Sequence, residues 1–298
     1  MPKDTSLYSL LDRHIRTLSM AIGERHSKRP EALNRACEYI VKEFEHAGYE
    51  PKLHTFEYHG QTFSNVEAIR PGKEEADDNL IVGAHYDSEF NTPGANDNGS
   101  GVAAMLAIAY DLKDYKPKKT IRYVAFVNEE SPFFNTDGMG SLNYARDLRY
   151  AEAKVAGMFS LETLGYFTAG AGSQQYPDEV KDMGFPDEGN FLAFIGNKKS
   201  SEFLDKSWNL FKLFSNVPSL GLAAKEEIPG VANSDHFSFW KYGYPGIMVT
   251  DTAPYRYPHY HAPDDVPEKI NMKVYKEAVL GLIATVAALA GKSGPVSQ

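Results

Sequence analysis

The sequence predicts an α/β fold: one domain over residues 1–298, with a central mixed, largely parallel sheet flanked by helices on both faces. Three observations predict it. Strand-like and helical runs alternate along most of the chain. The runs Leu80–Ala84 (LIVGA) and Thr120–Asn128 (TIRYVAFVN) are apolar almost throughout, as strands buried on both faces are. Acidic and histidine residues stand at or just after the ends of such runs, where ligands gather in parallel sheets.

Residues 4 to 27 carry Leu7, Leu10, Leu11, Ile15, Leu18 and Ile22 near helical spacing. A second helix is predicted from Pro30 to His46, with proline at its start and Gly48 just past its end. Strands follow around Leu53–Tyr58 and Phe63–Ile69, closed by Pro71-Gly72. The acidic patch Glu74, Glu75, Asp77, Asp78 reads as a solvated turn. The strand Leu80–Ala84 then leads through a polar loop into a helix over Gly101–Leu112. Further on, the patterns predict strand Thr120–Asn128, helix Ser141–Leu148 and strand Val155–Leu161. Residues 163–190 are rich in Gly, Pro, Asp and Tyr without periodicity, a length typical of a functional lid. Strand Phe191–Ile195, helix Ser201–Phe214, strand Pro245–Thr250 and helix Val274–Leu289 complete the chain.

A net charge of −9 with no basic stripe excludes phosphate-backbone recognition, and so nucleic acid, as a function. It weakly favours a cationic ligand such as a peptide amino terminus. One cysteine, Cys37, leaves no internal disulfide and no CxxC metal motif; in its helical pattern it reads as a small buried apolar residue. No apolar stretch reaches the roughly 20 residues a membrane span needs, so no membrane partner is expected. The charged start lacks a signal peptide's continuous apolar segment, which gives cytoplasmic residence as the expectation, or secretion had an export signal been trimmed. Oligomeric state is not readable.

The chemistry concentrates after Leu80. His85 and Asp87 are two positions apart at a strand end, so they share a face. Asp97 arrives on the loop just before Gly99-Ser100-Gly101. Glu129-Glu130 ends the next buried run, Glu162 the one after, and the loop PYRYPHYHAPDD (254–265) offers His259 and His261. Taken together, two imidazoles and three carboxylates suit zinc, and suit two ions if one carboxylate bridges. A glutamate beside a ligand would then serve as general base toward water, which Glu129 can do only where strand gives way to loop.

These pieces, in order, are NVEAIRPG, GAHYDS, GANDNGSGVAAML, AFVNEE, LETLG, SDHFSFWKYGYPGIMVTDT and YHAPDD. Over roughly residues 65–265 the chain resembles the double-zinc (co-catalytic) aminopeptidases, secreted bacterial leucine-preferring enzymes among them, in the clan that also holds glutaminyl cyclases. The resemblance implies a zinc-peptidase, phosphorylase/hydrolase-like fold and removal of amino-terminal residues from peptides or small aminoacyl substrates. It implies that His85, Asp97 and Glu162 hold one Zn²⁺, and that Asp97 bridges to a second held by Glu130 and His261. Co²⁺ or Mn²⁺ can replace zinc in such sites. Asp87 would orient His85, Glu129 would be the base, and Tyr260 would polarise the scissile carbonyl.

The chain departs from the pattern twice. Well-characterised members often carry Asp where Glu162 stands, and SPFFNTDGMGS (131–141) replaces a short glycine-containing link. Phe133 and Phe134 are therefore expected to shape the specificity pocket. Ser234-Asp235-His236 reads either as a helix start or as part of that pocket. Arg256 is the nearby cation that a carboxypeptidase or deacylase of the clan would need for a substrate carboxylate. A glutaminyl cyclase-like enzyme with one zinc and a metal-free receptor-like homologue are the remaining alternatives.

Overall fold

A computed structural model describes residues 4–292; residues 1–3 and 293–298, the ends of the expected domain, lie outside the described residues. The apolar run after Asn79 forms the inner part of β3 (Glu75–His85). Leu80, Val82 and Ala84 face one hydrophobic layer and Ile81 the other, so both faces of the strand are covered. The acidic patch is a correction to the expected turn. Glu75, Asp77 and Asp78 belong to the exposed leading end of β3, and Lys119 pairs with Glu75 and Asp78.

The remaining strands are β1 (Lys52–Tyr58), β2 (Gln61–Arg70), β4 (Lys119–Phe126), β5 (Lys154–Glu162), β6 (Leu192–Gly196), β7 (Ser219–Ala223) and β8 (Gly246–Thr250). They form one eight-stranded mixed sheet in the order β1-β2-β4-β3-β5-β8-β6-β7. β4, β3, β5 and β8 run parallel at its centre; the β1–β2 hairpin and β6 are antiparallel to their inner neighbours. The short strand β7 was not predicted from sequence.

Helices α1 (Asp4–Arg16), α2 (Pro30–His46), α3 (Gly101–Asp111), α5 (Ser201–Phe214) and α7 (Met272–Ala290) contribute to one layer. On the opposite face, α4 (Gly140–Tyr150) and α6 (His236–Lys241) pack Tyr144, Leu148 and Phe239 against Ile81, Val124 and Phe126. The helix expected over 4–27 is α1 followed by a π-helical turn, Thr17–Ile22, which Gly23 ends with φ +81°. Among the described residues, no helix is long and apolar enough to cross a membrane.

The topology places the site. From β3 the chain crosses through α3 to β4 on one side, then through α4 to β5 on the other. The strand order therefore switches at β3, and a crevice opens beyond its carboxyl end, where His85 stands.

Candidate metal centre

Each side chain of the centre comes from the carboxyl end of a parallel strand or the loop after it. His85 ends β3 and Glu162 ends β5. β4 stops at Phe126, short of the predicted Asn128, and Asn128 takes a left-handed φ of +60°. Glu129 and Glu130 thus lie off the strand, free of its alternation. Asp87 holds the turn: its two oxygens accept from the backbone N–H of Glu129 (3.1 Å) and Glu130 (3.0 Å). Its Oδ1 lies 3.5 Å from His85 Nδ1, so the contact to the ring is the looser one.

Asp97 sits in a loop braced on every side. Asn96 donates to Asp251 at 2.9 Å and accepts from Gly165 N. Asn98 donates to the Leu161 carbonyl and accepts from Gly101 N and Thr163 N, and Ser100 accepts from Leu164 N. The polar motif NDNGS therefore ties the start of α3 to the end of β5. From the other side, buried Asp265 accepts from the backbone N–H of Asn96 (2.9 Å) and Asp97 (3.0 Å). Gly101 has no room for a side chain: a Cβ there would strike the Leu161 carbonyl oxygen and Asn98 Oδ1. Gly101→Ala is expected to destabilise the fold by about 3 kcal/mol through overpacking, read as a lower denaturant midpoint at unchanged m-value.

Beneath this loop lies Arg25, wholly buried. Its guanidinium donates to the carbonyls of Tyr86 (2.6 Å), Pro93 (2.6 Å) and Gly94 (2.9 Å). Burial draws it down to about 10 against the pull of Asp87, Asp265, Asp97 and Glu130. A positive charge fixed behind so many carboxylates lowers the cost of gathering them.

The five predicted ligands meet in one pocket. His85 Nε2 lies 3.4 Å from Asp97 Oδ1 and 3.3 Å from Glu162 Oε2. His261 Nε2 lies 3.1 Å from Asp97 Oδ2 and 3.4 Å from Glu130 Oε2. Asp97 thus gives one oxygen to each of two adjoining nests. Glu162 Oε2 also accepts from the Ser234 hydroxyl at 2.7 Å, which in turn meets Ser160. Glu129 reaches the first nest, Oε2 standing 3.8 Å from His85 Nε2. Of the two loop histidines, His259 turns away to exposed Asp264 (2.6 Å). His261 holds its place with φ +52°, and Thr163 and Thr252 are also left-handed beside the site; such conformations cluster where a site is over-determined by its surroundings.

The electrostatics call for cations. Burial, then repulsion from Asp97 and Glu129, pushes the Glu130 carboxyl well above the usual range. Burial pushes Glu129 up as well; His85 opposes it, and Glu162, Asp235 and Asp87 add to it. His85 is raised despite burial, by Glu162 and Glu129 above all. Glu130 Oε1 is buried with no hydrogen-bond partner. Imidazole nitrogens and carboxylate oxygens grouped within 4.8 Å of one another fit zinc.

Beside the centre is a cavity of about 90 Å³. Asp97, Glu129, Glu162 and Tyr260 are among its lining residues, and most of the remaining lining is apolar, with Phe185, Phe191, Ile195, Leu222 and Val231 among it. Gln174 to Phe185 of the long predicted loop form part of the wall, and the loop has no helix or strand of its own. Phe133 and Phe134 do not line it, which corrects their expected part in the pocket. Phe133 packs edge-on to Tyr58 and Phe63, and Phe134 stacks on Phe237. Asp235 and His236 are wholly buried outside the cavity lining. Burial pushes the Asp235 carboxyl up to about 7, and His236 reaches the Val231 carbonyl at 2.8 Å. Arg256 is buried too, its guanidinium turned to the Phe191 carbonyl (2.7 Å), Gln174 (2.7 Å) and the Phe191 ring. It clamps the long loop and is not among the cavity-lining residues.

Arg25, Asp251, Asp265 and Glu89 were not singled out from sequence. Only Asp265 had a signal there, its place in the YHAPDD register.

The family model described as "Peptidase family M28" matches residues 65–286. YfbL of Escherichia coli (strain K12) is 35% identical over 289 residues, covering 92% of this chain and 85% of that protein. Aminopeptidase YwaD of Bacillus subtilis (strain 168) is 39% identical over 107 residues, 35% of this chain and 22% of that one. Among solved structures, BSAP, a zinc aminopeptidase from Bacillus subtilis, superposes with TM-score 0.72 at 19% identity, covering 96% of this chain and 94% of that chain.

Proposed function

The chain belongs to peptidase family M28, and from that membership we infer that it is a zinc-dependent aminopeptidase whose centre holds two ions. The observation that carries the second ion is the division of Asp97, whose Oδ1 faces His85 and Glu162 while Oδ2 faces His261 and Glu130. The first nest would hold one ion and the second the other. Such a division favours two ions over the single zinc of a glutaminyl cyclase-like alternative. The fate of Arg256, turned to backbone carbonyls, disfavours a carboxypeptidase that needs it for a substrate carboxylate.

When bound, zinc supplies an acidified water and polarisation of the scissile carbonyl. The chain supplies the rest. Glu129 takes the proton of the attacking water and hands it to the leaving amine. Asp87 fixes Glu129 and Glu130 through their backbone amides, so that one carboxylate faces the reacting atoms and its neighbour serves as ligand. Tyr260, which lines the cavity and stacks on His261, donates to the carbonyl oxygen as charge develops there. The carboxylates that line the cavity receive the free α-amine, and the apolar walls receive the first side chain. Residues 1–298 act as one catalytic unit, with 163–190 as its lid.

A panel of aminoacyl anilides tests this reading. Leucine and phenylalanine anilides are expected to be cut at least about 100-fold faster, in kcat/KM, than the glutamate anilide, whose charge would be buried unpaired among apolar walls and carboxylates. N-acetyl-leucine anilide is expected to be inert. Release of acetate from the acetylated compound, leaving leucine anilide, would make the protein a deacylase instead.

A further inference from the structure

We propose that Glu89 is a fourth protein ligand of the outer ion, beside Asp97, Glu130 and His261. The proposal rests on the two-ion reading above and extends it to a residue outside the ligand set assigned so far. The local chain brings Glu89 to the site by simple alternation past the end of β3. Tyr86 and Ser88 turn inward: the Tyr86 hydroxyl donates to the Ser64 carbonyl at 2.8 Å, and Ser88 Oγ accepts from Arg25 N at 3.1 Å. His85, Asp87 and Glu89 alternate with them, the first two serving the metal pocket. The third arrives there as well. Ligand atoms of Glu89, Glu130 and His261 lie within 4.8 Å of one another.

Two further features point to a cation between them. Glu130 is buried, yet its Oε1 has no hydrogen-bond partner. Glu89 itself is half-buried, with one oxygen steadied by Phe90 N at 2.6 Å, so its carboxylate is held beside the site instead of extending into solvent. A carboxylate and an imidazole from loops, closing over a buried carboxylate that lacks a partner, form a cation-binding set. Three carboxylates and one imidazole also make a harder donor set than His85, Asp97 and Glu162 provide, one that accepts manganese more readily.

The test is metal titration of metal-free Glu89→Gln, with free zinc set by a chelating indicator and activity not used. Wild type is expected to take up two equivalents. E89Q is expected to keep one at wild-type affinity and to bind the other about 10- to 100-fold more weakly, while its metal-free melting temperature is unchanged. Glu89→Asp, one methylene shorter, is expected to fall between the two. Wild-type affinity for both equivalents in E89Q overturns the assignment of Glu89. A wild type that takes up only one equivalent overturns the two-ion reading, and with it this proposal.

Discussion

Glu129→Gln is expected to lower kcat by about 1,000-fold, within the range removal of a general base produces, while zinc content and KM stay near wild type. Glutamine keeps the size and one acceptor oxygen but cannot take a proton from water. The backbone amide of residue 129 would still rest on Asp87 Oδ1, so the turn and the neighbouring Glu130 stay in place. The Glu129 carboxyl is buried, and burial is the main cause of its rise above the usual carboxylate range. A bound cation lowers it again, so its working basicity lies between the two influences. Metal analysis together with steady-state kinetics on the same preparation checks the result. Loss of an equivalent of zinc in E129Q would show that the two adjacent glutamates have been given each other's roles.

Asp97→Asn is expected to remove both ions of the proposed pair. The carboxylate faces His85 with one oxygen and His261 with the other, and an amide replaces one of these acceptors with a donor and cancels the charge. Affinity for each equivalent should fall by more than about 100-fold, and activity should vanish with it. His261→Ala offers the contrast, because it touches only the second nest and should cost one equivalent. Inductively coupled plasma analysis after gel filtration in dilute zinc reads both variants. Retention of one full equivalent in D97N would mean that the aspartate serves a single ion and does not bridge.

Those expectations grew from residues that the sequence makes conspicuous. His85 ends β3, Glu130 follows a short way after β4 and Asp97 precedes α3, and the strands are legible because apolar residues fill both of their faces. α2 is framed by Pro30 and by the glycine past its end, and it matches its predicted span, Pro30–His46. The misses have physical causes. The charges of Glu75, Asp77 and Asp78 imitate a turn because that end of β3 extends into solvent, where no burial imposes a pattern. β7, SLGLA, is a half-buried edge strand of five residues with a central glycine, too short to show alternation. Phe133 and Phe134 are expected at the pocket because SPFFNTDGMGS stands where a short glycine-containing link is usual. The loop after Glu130 instead carries them to Tyr58, Phe63 and Phe237. Cavity walls at Phe185, Leu222 and Val231 come from segments far apart in the chain, which only the folded sheet brings together.

Arg25 sets where this molecule can be shortened. The family match begins at residue 65, and a truncation designed from that boundary would discard the guanidinium that seats the carbonyls of Tyr86, Pro93 and Gly94. The excised piece would retain every predicted zinc ligand in its sequence, yet lack the keystone under the loop that presents Asp97. The minimal working fragment therefore starts ahead of α2, and any graft of this centre onto another scaffold has to import an arginine from a segment some 70 residues upstream of Asp97.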